Sequence, residues 1–184
     1  MSNKIDFIKK RRSIRKFKNI RVDDQQITSI LEAAMSAPSA MAKDPWRFII
    51  VRNKDNLKSI AKFLPNGTFL PDAGLGIVVC GDLDIAHSNS ISYMLQDCSA
   101  AIENMLLAVS ALDLGACWLG VHPREDRIKN LKQFFALPEN IIPLALLAIG
   151  VPETFPEPRT RYNKDYIKQE TWQDYSGESA FKNS

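Results

Sequence analysis

A chain of 184 residues with 45% hydrophobic content suits a single globular domain with a sizeable core. Its net charge of +3 is too small to mark a nucleic-acid binder by itself, no apolar run is long enough to span a bilayer, and the amino terminus lacks the apolar core expected of a signal peptide. Three cysteines, Cys80, Cys98 and Cys117, lie in apolar stretches without a CxxC spacing and read as reduced core residues of a cytoplasmic protein.

The amino-terminal segment concentrates the charge. Residues 9–17 hold six cations and one hydroxyl, with Ile14 and Phe17 as the apolar anchors. Ile5 and Ile8, one turn apart, predict a short amphipathic helix before it. Ser13 is placed to end that helix, and an extended segment after it turns Ser13 and Arg15 to the same side. A hydroxyl and planar guanidinium forks converging from a helix end make a receptor for a phosphate monoester. The competing readings are a solvated basic run and a nucleic-acid arm. A second cluster, Arg159 and Arg161, favours the phosphate.

Asp23 reads as an N-cap with Gln26 as its capping-box partner, followed by an apolar stripe of Ile27, Ile30, Leu31, Ala34 and Met35 that Pro38 terminates. A small-residue loop over 37–45 leads into a strand over 46–51. A helix over 54–63, capped by Asn53, turns Leu57, Ile60 and Ala61 inward, and Pro65, Asn66 and Gly67 form a turn. The continuous apolar run 75–80 predicts a central strand. Residues 91–112 predict the longest helix, apolar all round, with alanines on its remaining faces and Gln96 and Glu103 as the polar exceptions. Such a helix is buried on several sides, with room for close approach of a second copy of the chain. Residues 116–121 predict a strand ending near Gly120, Pro123 falls in the first turn of the next helix, and residues 143–150 predict the last core strand. Beyond it Pro152, Pro156 and Pro158 hold an extended tail carrying Tyr162, Tyr166 and Trp172, which must be buried on something. The expected domain spans 1–175, with 151–175 as a tail on a partner subunit and 176–184 disordered.

Side chains supply little chemistry of their own. His87 and His122 are isolated from each other and from the cysteines, so no metal site is expected; Asp82 and Asp84 read as a solvated strand end. Ser39 lacks a nucleophile elbow, and no Gly-x-Gly-x-x-Gly follows a strand. A phosphate receptor without catalytic side chains implies a cofactor that carries the chemistry.

Five stretches occur together in order: Arg11, Arg12, Ser13, Ile14, Arg15, Lys16 and Phe17; Ala37, Pro38, Ser39 and Ala40 before Pro45 and Trp46; Gln96 and Asp97 opening the apolar helix; Trp118, Leu119 and Gly120; and the late Arg161. The ordered set resembles the FMN-dependent nitroreductases, over residues 5–172. The resemblance implies an α+β fold with a central mixed sheet flanked by helices, the long helix at a dimer interface and an extended C-terminal tail. It implies a homodimer that binds FMN, takes reducing equivalents from NADH or NADPH and passes them to a small acceptor such as a nitroaromatic or quinone, with no nucleic acid and no membrane among its partners. By it Arg11, Arg12, Ser13 and Arg15 hold the phosphate and ribityl chain, joined by Arg159 and Arg161 from the tail. Pro38, Ser39 and Ala40 reach the flavin from the partner, Leu119 and Gly120 lie beside the ring with the Gly120 N–H at N5, and Asn66 serves the ring's polar edge. Alternatives are reductive dehalogenation, flavin breakdown, or flavin binding without turnover. The chain departs from the family pattern at Ala42 and Asp44, which stand at Asn and Gln positions.

Overall fold

The computed structural model describes residues 5–172. Strands β1 (Trp46–Val51), β2 (Leu75–Asp82), β3 (Gly115–Gly120) and β4 (Ile141–Gly150) form one sheet in the order β1-β2-β4-β3. Helices α1 (Asp6–Lys10), α2 (Asp24–Met35), α3 (Lys54–Ala61), α4 (Ile91–Ala111) and α5 (Glu125–Phe135) surround it. The fold is α+β, as expected, but the sheet is antiparallel at every pairing rather than mixed. A parallel contact exists as an isolated bridge between Ser13 and Ala116.

The apolar run of β2 is buried along its whole length because helices cover both faces of an antiparallel sheet. Leu75, Ile77 and Val79 pack with α2 and α4 through Ile30, Met94, Ile102 and Met105. Val78 and Cys80, on the opposite face, pack with α3 and α5 through Leu57, Ile60 and Leu131. The period-2 alternation of a strand thus feeds two cores, and the sequence shows no polar face. Pro143 is accommodated inside β4 where the β2–β4 register shifts, so its missing N–H interrupts no regular ladder.

The expected caps are present. Asp23 and Gln26 form a reciprocal capping box, and Asn53 accepts from the N–H groups of Asp55 and Asn56. Three boundaries differ from expectation. The first helix ends at Lys10, short of Ser13, because the Ile14 N–H is taken by the Ala116 carbonyl at 2.8 Å and draws the chain onto β3. The last helix begins at Glu125, after Pro123, because the N–H groups of Val121 and His122 both still bond to Leu144 O on β4. Met35 falls off the α2 stripe and is exposed.

Of the polar residues on α4, Gln96 is exposed and bonds back to Ser92, and Glu103 faces out toward Arg11. The buried carboxylate is Asp97, which accepts from the Ala40 N–H at 2.9 Å. Asp82 is likewise buried rather than solvated: it accepts from Arg47 at 3.0 Å and Asn140 at 2.9 Å, tying β1, β2 and the approach to β4 together. The tail follows an extended course after a bridge between Pro152 and Phe17, and its Tyr162, Tyr166 and Trp172 are exposed in the protomer. The expected disordered stretch 176–184 lies outside the described residues. Among the described residues, no helix is long and apolar enough to cross a membrane, and no cluster of His, Cys, Asp or Glu could hold a metal ion.

Candidate functional site

The site is built on β3, an edge strand, and hydrogen-bond alternation decides which of its groups are free. Val121 N–H donates to Leu144 O at 3.0 Å, directly beyond the Gly120–Ala145 pair. In an antiparallel ladder bonded and non-bonded pairs alternate. Residues 117, 119 and 121 therefore bond to β4, while the N–H and C=O of Ala116, Trp118 and Gly120 point outward from the sheet edge. The Ala116 carbonyl does so, since it accepts from Ile14.

The basic segment covers the first part of this edge. Its two apolar anchors rest on backbone: a Cβ at Gly115 would meet Ile14 Cγ1 at 2.7 Å, and one at Gly150 would meet Phe17 Cδ1 at 3.0 Å. With Ile14 and Phe17 buried, Ser13 and Arg15 are turned out on either side of Ile14. Arg15 reaches across β3, where its guanidinium partly offsets the burial that raises the Cys117 thiol pKa.

At the far end of the edge, Gly120 is exposed and a Cβ there would meet nothing within 4 Å. Its carbonyl accepts from Arg127 Nη1 at 2.7 Å. Its N–H faces outward by the alternation above. Leu119 beside it is buried, and the turn carrying Asn66 packs onto it, since a Cβ at Gly67 would come within 2.9 Å of Leu119 Cδ1. Between Ala116 and Gly120 the edge runs four residues, about 13 Å. One protomer thus brings Ser13, Arg15 and Gly120 to one strand edge, with the turn that carries Asn66 packed on the neighbouring Leu119.

The other expected residues lie elsewhere. Arg11 faces α4, with Nε 3.6 Å from Glu103 Oε1, and Arg12 donates from Nη1 to the Glu157 carbonyl of the tail. Behind them, between α1, α4 and the tail, lies a cleft of about 330 Å³ floored by Leu106 and Val109, separate from the Gly120 end. Arg159 and Arg161 are exposed. Pro38, Ser39 and Ala40 precede β1, on the opposite edge of the sheet from β3, three strand spacings or about 14 Å away.

That loop is self-closed. Ser39 Oγ donates to Asp44 Oδ1 at 2.5 Å, and the Asp44 N–H returns to Ser39 Oγ at 3.0 Å. Met41, Ala42 and Asp44 all hold left-handed backbone, with φ of 55°, 52° and 49°. Asp97 pins the loop from below through Ala40, and its Oδ2 is buried without a hydrogen-bond partner among the described residues.

No side chain at the β3 edge is equipped as nucleophile or proton carrier. Burial pushes the thiols of Cys80 and Cys98 up to about 12. His87 stacks edge-on against Tyr93 with ring centroids 4.9 Å apart, away from the edge. Sequence reading missed Arg127, whose signal is a cation placed early in the helix that follows the strand-ending glycine. It also gave Asp97 no role, although that residue lay within a quoted motif.

A model of the nitroreductase family matches residues 8–68 and 64–151, which is more than half of the chain. The chain belongs to the nitroreductase family. A provisionally named NADH dehydrogenase/NAD(P)H nitroreductase of Archaeoglobus fulgidus is 41% identical over 175 residues, covering 94% of this chain and all of that one. The crystal structure of a provisionally named nitroreductase of the same description from Bacteroides thetaiotaomicron superposes with a TM-score of 0.87 at 37% identity, covering 94% and 100% of the two chains. A provisionally named nitroreductase from Desulfovibrio desulfuricans, solved in complex with FMN, superposes with a TM-score of 0.80 at 29% identity over 94% of this chain and 100% of that one. This fold is shared with these solved structures over more than nine-tenths of the chain.

Proposed function

We propose that the chain is a homodimeric, NAD(P)H-dependent FMN oxidoreductase that passes electrons to a small acceptor such as a nitroaromatic or quinone. The observation that carries this reading is the β3 edge, with exposed Ser13 and Arg15 at one end and the outward Gly120 N–H, beneath empty space, at the other. The residues present fit FMN: hydroxyl and guanidinium for a phosphate, a backbone donor for a ring nitrogen, and no Cβ to obstruct the ring face. The relatives named for NAD(P)H nitroreductase activity, and the FMN complex among the similar structures, support the same reading.

FMN, when bound, supplies the two-electron chemistry. The chain's part is to hold and orient it. Arg15 and Ser13 take the phosphate end, and Arg161 joins them from the tail. Leu119 and the Asn66 turn close one side, and Gly120 offers its N–H while leaving the other side open. With one open side, donor and acceptor occupy the same space in turn.

Dimerisation completes the site in this reading. Pro38, Ser39 and Ala40 sit too far from Gly120 within one protomer to share its groove, so they serve the partner's. Ile5, Ile8, Phe155, Tyr162, Tyr166 and Trp172 are all left exposed by a single protomer, Trp172 at 87%. Side chains of this size on α1 and the tail suit a large interface with a second copy.

The absorption spectrum of freshly purified protein tests the reading, followed by FMN titration of stripped protein. A flavin band and saturable binding are expected; absence of both from a folded protein overturns it.

A further inference from the structure

We propose that Arg127 is a positioning residue of this site: it locks the backbone of Gly120 and sets a positive charge beside the ring-binding end of the groove. The inference deepens the FMN reading and rests on it.

Glycine has more backbone freedom than any other residue, and Gly120 is paired on one side alone because β3 is an edge strand. The peptide that joins Gly120 to Val121 is nonetheless held at both ends. Its N–H donates to Leu144 O at 3.0 Å, and its carbonyl accepts from Arg127 Nη1 at 2.7 Å. Arg127 sits early in α5, seven residues beyond Gly120, so helix and strand clamp the glycine between them. Without the guanidinium one of these two restraints is gone, and the Gly120 carbonyl and the glycine backbone around it loosen with it.

Charge is the second part. The N–H and C=O of one residue in an extended strand project to the same side. A cation bonded to the Gly120 carbonyl therefore stands within a few Å of whatever accepts from the Gly120 N–H. A ring that gains negative charge on reduction is favoured there by Coulomb attraction at that short range. Other charges on α5 and its N-cap do not substitute: Arg124, Glu125, Asp126 and Lys129 are exposed, and Lys132 is committed to Glu139 at 3.0 Å. The neutral and charge-keeping replacements separate the two effects, since Lys keeps the charge without the fixed fork.

The test uses wild type, Arg127→Lys and Arg127→Gln, each followed by FMN titration, by the midpoint potential of the bound FMN, and by hydrogen exchange of the Val121 amide in the stripped protein. Arg127→Gln is expected to lower the ratio of reduced to oxidised FMN affinity on the order of tenfold, a fall of about 30 mV for a two-electron couple. Arg127→Lys should keep most of that potential, and both variants should exchange the Val121 amide, the protected N–H of the peptide that Arg127 holds, faster than wild type. An Arg127→Gln protein with unchanged potential and unchanged exchange overturns the inference. A wild type that binds no FMN overturns the parent reading instead, and the exchange rates then still decide whether Arg127 locks Gly120.

Discussion

Ile14 stands directly on the backbone of Gly115, where a Cβ would meet its Cγ1 at 2.7 Å and its Cβ at 2.8 Å. Gly120, at the other end of the same strand, has nothing within 4 Å of the equivalent point. The two glycines should therefore respond oppositely to a side chain. Gly115→Ala should destabilise the fold by about 1–3 kcal/mol through overpacking, and shift Ser13 and Arg15 with it. Gly120→Val should leave stability within about 1 kcal/mol and weaken FMN binding at least tenfold. Urea unfolding and FMN titration of the two variants make the comparison. Equal loss of stability in both would contradict the geometry.

The arginines of the basic segment should not be equivalent. Arg15 is turned out over β3, while Arg11 is paired with Glu103 and Arg12 with the tail. A charge-assisted hydrogen bond contributes about 1.5–3 kcal/mol, so Arg15→Ala should weaken FMN binding by roughly one to two orders of magnitude. Arg161→Ala should do the same, because the tail joins the phosphate in this reading; unchanged affinity would remove Arg161 from the site. Arg11→Ala loses a half-exposed ion pair worth at most about 1 kcal/mol, and its effect should appear in stability rather than in affinity. Isothermal titration of the stripped variants ranks them.

Much of this was legible in the sequence. The caps at Asp23 and Asn53 depend on local pairs three residues apart, and Ile14 and Phe17 are the apolar positions in a run of cations. Strand direction was not legible, and the mixed sheet that the resemblance implied is antiparallel: direction depends on long-range pairing, and a strand buried on both faces, such as β2, has the same composition in either direction. The burial of Asp97 and the Arg127–Gly120 bond join residues whose tertiary partners have no local signature, so periodicity does not reveal them.

Ala42 holds left-handed backbone at φ 52°, which disfavours an L side chain carrying a Cβ unless a short polar group can bond locally. Ala42→Asn should raise stability by up to about 1 kcal/mol with the loop unchanged. Thermal unfolding measures it, and a loss would mean the loop's shape is set otherwise than by its backbone preference.

The buried thiols predict a pH dependence. Cys80 and Cys98 have folded pKa values raised from 9.0 to about 12 by burial, so the folded state holds their protons more tightly than the unfolded state. Their contribution to stability is complete below pH 9.0 and is lost as pH rises toward 12. Native protein at pH 8 should resist thiol reagents that modify it fully once unfolded. Rapid reaction of the native protein would show that these sites open.

Steady-state kinetics should show parallel double-reciprocal lines at several acceptor concentrations, because one open side admits donor and acceptor alternately. His87→Ala and His122→Ala should change turnover by no more than a few-fold. Intersecting lines would require a second ligand site beside the first.

The unpaired edge of β3 has a consequence for the life of the chain before any cofactor arrives. A strand with outward N–H and C=O groups is a template on which another strand can add, and Trp118 and the N–H of Gly120 present such groups. Arg15 at one end and Arg127 at the other place like charges where a second edge of the same kind would have to dock. The cations suited to a phosphate and a reduced ring would then also act as gatekeepers, keeping newly made chains from joining edge to edge.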